Sequence, residues 1–295
     1  MNKYLITTST TADLNKDYFD SLNVPYISFH FEIGGKEYKD DLGVTISSEK
    51  FYKMIKEGAD TKTSQVNASE YIEFFSKYLE EGYDVLHIEL SSGISGSFNS
   101  ALIAKEELSK KYPNNKLIIV DSLAASSGLG LLVDTCKTMK DSGATIDEVY
   151  DFLESNKLKL HHWFFSTDLE HYKKGGRISS TALFFSNLLS IFPLLNVSNI
   201  GKLEVRKKIH GKKSLFKEIV KKMEVNALDG LNYSKKCFLC HSDSLEDAKV
   251  IAKMIEEKFK NLDGEVMINN IGTTIGSHTG CGTVAIFFYG EERID

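Results

Sequence analysis

The sequence predicts an α/β protein with two domains: an N-terminal parallel sheet of Rossmann-like topology, covered by helices, and a C-terminal α+β domain. Short apolar runs typical of buried strands alternate with helix patterns through the first half of the chain. These runs end in loops of small polar residues that lead into helices, as in β-loop-α units. The 295 residues are enough for two domains of ordinary size.

The N-terminal domain is predicted over residues 1–158. Its strands are expected at Tyr4–Thr7, Val24–Ile33, Val85–Leu90 and Leu117–Val120, and its helices at Ala12–Leu22, Ser48–Lys56, Tyr71–Leu79 and Ile146–Asn156. Asn67 with Glu70, and Thr145 with Glu148, have the spacing of capping boxes that begin helices. Helix Ile146–Asn156 marks the domain boundary, since no linker rich in proline or glycine does so.

The C-terminal domain is predicted over residues 159–295, where the regular alternation stops. Strands are expected near Leu160–Ser166, Ile191–Val197, Leu203–Ile209, Cys237–His241, Glu265–Ile268 and Val284–Phe288, and helices begin near Leu169, Thr181, Lys212 and Leu245. Ser244 with Asp247 forms a third capping-box pattern. This order of elements favours a sheet of more antiparallel character.

Composition and charge exclude several classes of protein. The net charge of −5 argues against a nucleic-acid partner, because such binding depends on neutralising phosphates. The N-terminal residues lack the apolar core of a signal peptide, and the apolar segment Phe184–Leu195 is too short to span a bilayer. The lone pair Cys237 and Cys240 is expected in a buried strand, with no metal site. We therefore expect a cytoplasmic protein with reduced thiols, monomeric by default.

Four segments rich in hydroxyl side chains are expected at the carboxyl edge of the parallel sheet, at residues 7–14, 61–65, 91–97 and 121–122. Ligands of doubly wound sheets bind at that edge. Helix capping or a turn explains each segment alone. Together they predict an anion-receptive pocket of hydroxyls, backbone amides and helix N-termini. The chain contains neither a P-loop nor a dinucleotide-binding fingerprint.

Several polar residues outside the strand ends allow more than one interpretation. His161–His162 lies in an apolar run, so we expect a strand with one histidine buried and the other exposed. Asp40–Asp41 suggests a cation site or, as the favoured interpretation, a solvated loop. His278 is expected in a glycine-rich turn before the last strand, either as a cap or as a group facing a ligand.

Nine segments spread over nearly the whole chain together resemble the DegV family, the bacterial fatty-acid-binding proteins that serve as the lipid-carrying subunit of fatty acid kinase. The segments are STTADL, TKTSQV, SSGISGSFNSA, VDS, SSGLGLLV, DLEHYKKGGRIS, NLLSIFPLL, HGKK and IGSHTGCG. Their order and spacing are more specific than any single motif. The resemblance implies an acyl chain in a tunnel at the seam between the two domains, with its carboxylate near the hydroxyl-rich loops.

The resemblance also implies which residues bind the ligand. Carried over by motif, they are Thr63, Ser64, Ser95, Gly96, His278 and Thr279. Thr63, Ser95 and His278 are the strongest candidates, because hydroxyls and helix amides suit a carboxylate. The apolar residues of Phe184–Leu195 are available to contact the acyl tail, although a core helix explains them equally well.

In the family a separate kinase subunit phosphorylates the bound carboxylate, so the resemblance implies no catalytic residue and no cofactor in this chain. Arg177, His210 and Lys212 are the candidates for docking that partner. The chain departs from the family pattern at three positions. Thr8 replaces an acidic residue, Phe192 replaces a lysine and His210 replaces an arginine. The last two departures weaken the inference of a kinase partner more than that of lipid binding.

Two alternatives from other functional classes remain at this point. An acyl hydrolase would use Ser95 as nucleophile and His278 as base, although the loop around Ser95 is not a GxSxG elbow. A binding protein for small anions or sugar phosphates would have a short polar pocket and no tunnel for a tail.

Overall fold

The computed structural model describes residues 3–167, 169–178 and 190–293. Its strands are β1 (Tyr4–Ser9), β2 (Tyr26–Ile27), β3 (His30–Ile33), β4 (Lys36–Lys39), β5 (Thr61–Ser64), β6 (Asp84–Glu89), β7 (Leu117–Asp121), β8 (Leu160–Ser166), β9 (Ile191–Val197), β10 (Leu203–His210), β11 (Phe238–His241), β12 (Met267–Asn270) and β13 (Thr283–Tyr289). Its helices are α1 (Lys16–Leu22), α2 (Ser48–Lys56), α3 (Ala68–Glu80), α4 (Ser97–Lys111), α5 (Ser127–Asp141), α6 (Ile146–Asn156), α7 (Glu170–Gly175), α8 (Lys212–Asn226), α9 (Leu245–Lys258) and α10 (Thr273–Thr279).

The first half of the chain forms the predicted parallel sheet, in the strand order β2-β1-β6-β7. Every residue of β6 is buried, as expected for a central strand covered on both faces. The capping boxes at Asn67 and Thr145 are confirmed: each side chain accepts from the backbone N–H three residues later, and the glutamate there accepts from the cap residue's N–H. Ser244, by contrast, makes no side-chain cap on α9.

The predicted strand Val24–Ile33 is wrong, because the chain changes sheets within it. Tyr26–Ile27 pairs with β1, whereas His30–Ile33 pairs with β4 and β5 in a separate antiparallel sheet of three strands. The predicted helix Ala12–Leu22 is shorter than expected. Asp13 adopts a left-handed conformation with φ of 44°, which separates a short 3-10 turn at Thr10–Ala12 from α1.

The second half forms a sheet of six strands in the order β10-β9-β8-β13-β11-β12. Only the β11–β12 pair is parallel, so the predicted antiparallel character is confirmed. His161 and His162 are both buried, which corrects the prediction of one exposed histidine. Helices cover both faces of this sheet: α5 and α8 each contact β8. The predicted helix near Thr181 and the apolar residues from Phe184 to Leu189 lie outside the described residues.

Helix α5 connects the two large sheets, since it contacts β1 and β6 on one side and β8, β11 and β13 on the other. Its residues 127–134 are all buried, and the main apolar core includes residues of both halves of the chain. The Lys236 ammonium lies 2.9 Å from the buried Asp134 carboxylate of α5, a second link between the halves. The boundary at residue 158 stays a prediction. In the described part of the chain, no helix has the length and apolar character needed to cross a membrane.

Gly128 tests how closely α5 packs on the second sheet. A Cβ at this position would lie 2.3 Å from His162 Nε2 and 2.8 Å from a ring carbon of Phe287. We expect Gly128→Ala to lower the free energy of unfolding by about 1–3 kcal/mol, because the packed core has to shift. Helix propensity alone would raise that free energy by roughly 1 kcal/mol. Chemical denaturation measures the difference, and a stabilised variant would contradict the packing described here.

Candidate ligand-binding site

A cavity of about 410 Å³ lies between the parallel sheet and the sheet of six strands. One wall is a face of the six-stranded sheet, where strand alternation brings His162 and Phe164 of β8 beside Ala285 and Phe287 of β13. Along β13, the cavity-lining residues from Thr283 to Phe287 span about 13 Å. Further apolar side chains line the cavity, among them Phe29, Leu90, Ile94, Val197, Leu203 and Ile271.

Thr63 and His278 meet in the lining of this cavity and, with Ser95 and Arg177, form what we call its polar end. The Thr63 Oγ1 and His278 Nε2 atoms are 2.7 Å apart, although 215 positions separate the two residues in the chain. Thr63 lies on β5, not in a loop as predicted, and Thr61 on the same face of the strand bonds Ser277 at 2.7 Å. Two neighbouring pairs of side chains therefore hold β5 against α10.

His278 occupies the last turn of α10, which corrects the prediction of a glycine-rich turn. Burial, together with the nearby positive charge of Arg177, lowers the pKa of His278 to about 4. The imidazole is therefore neutral near pH 7. Its Nδ1 atom has no hydrogen-bond partner in the described structure. A Cβ on Gly175 would lie 2.4 Å from that atom, so the glycine lets α7 pack directly against the ring.

The carboxylates of Asp13 and Asp40 hold the start of α10. Asp13 accepts from the N–H of Gly272, and Asp40 accepts from the N–H and the hydroxyl of Thr274, the hydroxyl at 2.6 Å. The predicted solvated loop is wrong for Asp40, which is buried, and burial raises the pKa of both carboxyl groups. Sequence analysis did not identify either residue as supporting His278. The STTADL segment that contains Asp13 was the available signal.

Ser95 lines the same cavity from the loop between β6 and α4. Its Oγ accepts from the N–H of Ser97 at 3.2 Å and lies 3.1 Å from the Ser97 Oγ. Gly96 does not line the cavity but makes room for Gln65, which does: a Cβ on Gly96 would lie 2.5 Å from the Gln65 side chain. Ser64 and Thr279 complete the predicted set, and both line the cavity.

Arg177 also lines this cavity and contributes a positive charge to its polar end. Its Nε donates to the Ile94 carbonyl at 3.2 Å and its Nη1 to the Gly175 carbonyl at 2.5 Å, which connects the end of α7 to the Ser95 loop. Lys212 instead lines a second cavity and pairs with Asp247 at 2.7 Å. Arg177 and Lys212 therefore do not share one cavity.

The fold also places His210 and Phe192, two of the three positions at which the chain departs from the family pattern. His210 is exposed at the end of β10 and, within the described residues, lines neither cavity. Phe192 is a half-buried residue of β9 that packs against the core, a position suited to an aromatic side chain.

The arrangement of a Ser–His hydrolase is not assembled among the described residues. The Nε2 of His278 bonds Thr63, whereas the described hydrogen bonds of the Ser95 hydroxyl are both to Ser97. The Nδ1 of His278, which an orienting carboxylate would occupy in a catalytic triad, has no partner. The apolar walls also differ from the short polar pocket expected for a small anion.

Comparison with known proteins agrees with this architecture. The model of the family described as "Uncharacterised protein, DegV family" matches residues 3–291. A DegV domain-containing protein of Clostridium perfringens is 41% identical over 293 residues, which are 99% of each chain.

Two solved structures share the fold over nearly their whole length. A DegV family protein of Thermus thermophilus, described by its fatty acid binding, has a TM-score of 0.86 at 25% identity and covers 98% of this chain and 99% of its own. A protein of Thermotoga maritima, described as revealing a fatty acid binding function, has a TM-score of 0.82 at 28% identity and covers 98% of this chain and 100% of its own. With the family model matching nearly every residue, this chain belongs to the DegV family.

Proposed function

We propose that this protein binds a long-chain fatty acid, with the carboxylate at Thr63, Ser95 and His278 and the tail in the apolar cavity. The observation that carries the proposal is the lining of that cavity, which combines apolar side chains of the six-stranded sheet with the hydroxyls, the imidazole and the guanidinium of the polar end. Most of a lipid is apolar, and its only strongly polar group is terminal. The fatty acid binding described for the Thermus and Thermotoga relatives supports the proposal.

The energetics favour a tail-driven complex that the carboxylate orients. Burying about 14 methylene groups contributes on the order of 11 kcal/mol gross, at about 0.8 kcal/mol each. Ordering and association remove several kcal/mol of this. Each hydrogen bond to the ionised carboxylate adds roughly 1.5–3 kcal/mol. Loss of one polar contact therefore weakens binding without abolishing it.

Removing the polar contacts one at a time tests the site. We expect Thr63→Val, Ser95→Ala and His278→Gln each to raise the dissociation constant for palmitate by roughly tenfold to a hundredfold. Isothermal titration calorimetry measures the affinities. Thr61→Val is the matched control, because Thr61 occupies the same face of β5 but bonds Ser277 outside the cavity lining. Equal effects of Thr61→Val and Thr63→Val would contradict the assignment.

The pKa of His278 provides a second test, independent of affinity. In the ligand-free protein we expect the ring to titrate near pH 4, well below an exposed histidine. A bound carboxylate favours the imidazolium and should raise this pKa, whereas hexadecanol, which has no charge, should not. NMR titration measures both midpoints, with His278→Gln identifying the signal. A free-state midpoint near that of an exposed histidine, or no change with palmitate, would count against the site.

The proposal extends to a partner. We infer that a separate fatty acid kinase subunit transfers the terminal phosphoryl group of ATP to the bound carboxylate, releasing ADP and forming an acyl phosphate. The family resemblance supports this, and so does the location of Arg177, which is exposed and yet lines the polar end of the cavity. Lys212 and His210 lie outside that cavity, so Arg177 is the first residue to test. A cytoplasmic location and a monomeric state stay predictions from the sequence.

Arg177→Ala separates docking from lipid binding. The described hydrogen bonds of the guanidinium go to backbone carbonyls, and Thr63 and His278 retain their contact in the variant. We therefore expect the variant to keep palmitate affinity within about tenfold. Acyl phosphate formation with a fatty acid kinase catalytic subunit and ATP should fall much further. Lys212→Ala is the comparison, with a smaller loss expected. Unchanged turnover by Arg177→Ala, with wild-type turnover detected, would contradict a docking role.

A further inference from the structure

Glu89 is a fully buried carboxylate behind the loop that carries Ser95. Its Oε1 accepts from the N–H of Leu90 at 2.9 Å and from the hydroxyl of Ser97 at 3.0 Å. Its Oε2 accepts from the Tyr71 hydroxyl at 2.5 Å and lies 2.7 Å from His87 Nε2. The Ser9 hydroxyl also donates to Oε1, at 3.5 Å. Burying a carboxylate is costly unless several polar contacts compensate it, as these do here.

Two of the contacts of Oε1, those from Leu90 and Ser97, connect the two ends of the Ser95 loop. Leu90 is the first residue after β6, and Ser97 is the first residue of α4. One oxygen atom therefore joins the two ends of the segment 91–96. Ser97 in turn bonds Ser95 through both its N–H and its hydroxyl, so Ser95 is connected to Glu89 through a single intervening residue.

The other carboxylate oxygen fixes the orientation of Glu89. Tyr71 reaches it from α3, and His87 reaches it from β6 itself, while the His87 Nδ1 lies 2.9 Å from the Thr7 hydroxyl of β1. All of these groups are buried. Strand β1, strand β6 and helix α3 thus hold the carboxylate in one orientation, and Glu89 does not itself line the cavity.

We propose that Glu89 is the positioning residue for carboxylate recognition: through Ser97 it sets the location of the Ser95 hydroxyl relative to the Thr63–His278 pair. This inference rests on the proposed function. Ser95 and the Thr63–His278 pair belong to different elements, yet both must reach one carboxylate, and small displacements of positioned groups have large effects on such contacts. The sequence marks Glu89 only as part of an apolar strand, so its role follows from the hydrogen bonds alone.

Comparing two ligands distinguishes this role from a general contribution to folding. Palmitate and hexadecanol share the tail and differ in the head group, so the ratio of their affinities reports carboxylate recognition. Ser97→Ala removes the link but leaves Glu89 with its other donors. We expect it to weaken palmitate about tenfold while hexadecanol changes less than about twofold. Glu89→Leu should lower the same ratio at least as much.

Unlike Glu89→Leu, Glu89→Gln should keep the ratio of palmitate to hexadecanol affinity close to its wild-type value. The amide oxygen is able to accept from Leu90 and Ser97, while the amide nitrogen donates to the Tyr71 oxygen and to the His87 ring nitrogen. Asp134→Asn is the control for lost stability, because it disrupts the ion pair of the buried Asp134 with Lys236, and neither residue lines the cavity. We expect it to lower the melting temperature without changing the ratio.

Calorimetric titration of the full-length variants measures the ratio of palmitate to hexadecanol affinity. If Glu89→Leu does not fold, Ser97→Ala alone tests the role of Glu89. A wild-type protein that binds neither ligand overturns the proposed function itself. A wild-type protein that prefers palmitate, with a Ser97→Ala variant that keeps the wild-type ratio, overturns only the role of Glu89. A preference for palmitate that is lost in Ser97→Ala and retained in Asp134→Asn and Glu89→Gln establishes the positioning role of Glu89.

Discussion

The hydrogen bond between Thr63 and His278 is the contact on which the site depends, because it joins parts of the fold that are far apart in sequence. Thr63 belongs to the small antiparallel sheet, and His278 ends the helix that leads into β13. Strand β13 also contributes Ala285 and Phe287 to the apolar wall of the cavity. The polar end of the cavity is therefore held in register with the surface that a lipid tail would contact. Asp13 and Asp40 secure the other end of the same helix.

The chemistry of the polar end is compatible with the proposed presentation of a bound fatty acid to a partner. Hydroxyl groups and a neutral imidazole provide directional hydrogen bonds to a carboxylate, whereas the exposed Arg177 is the charged group of this lining. The low charge of the polar end limits the electrostatic contribution to fatty acid affinity. Most of that affinity would therefore come from burial of the tail. In the proposed complex this division would leave the head group near the exposed Arg177, within reach of the proposed kinase subunit, while the tail would be buried.

Sequence patterns predicted the features that depend on residues close in sequence. They missed the features that depend on contacts between distant parts of the chain. The strand-loop-helix rhythm and the capping boxes at Asn67 and Thr145 depend on residues close in sequence, and both were correct. The apolar run Val24–Ile33 gave no sign of the change of sheet within it, because burial in either sheet selects the same residue types. The burial of Asp40 depends on Thr274, more than two hundred residues away. The motif resemblance alone proposed Thr63, Ser95 and His278 as ligand-binding residues. Glu89 was identified only from its hydrogen bonds in the structure.

The central claim is that the cavity holds one fatty acid. Native mass spectrometry of the purified protein, followed by organic extraction and identification of the released molecule, tests it most directly. The account predicts a single long-chain fatty acid at one per protein chain, either retained from the host or taken up from added palmitate. A protein that is empty as purified and does not take up palmitate or oleate would contradict the account.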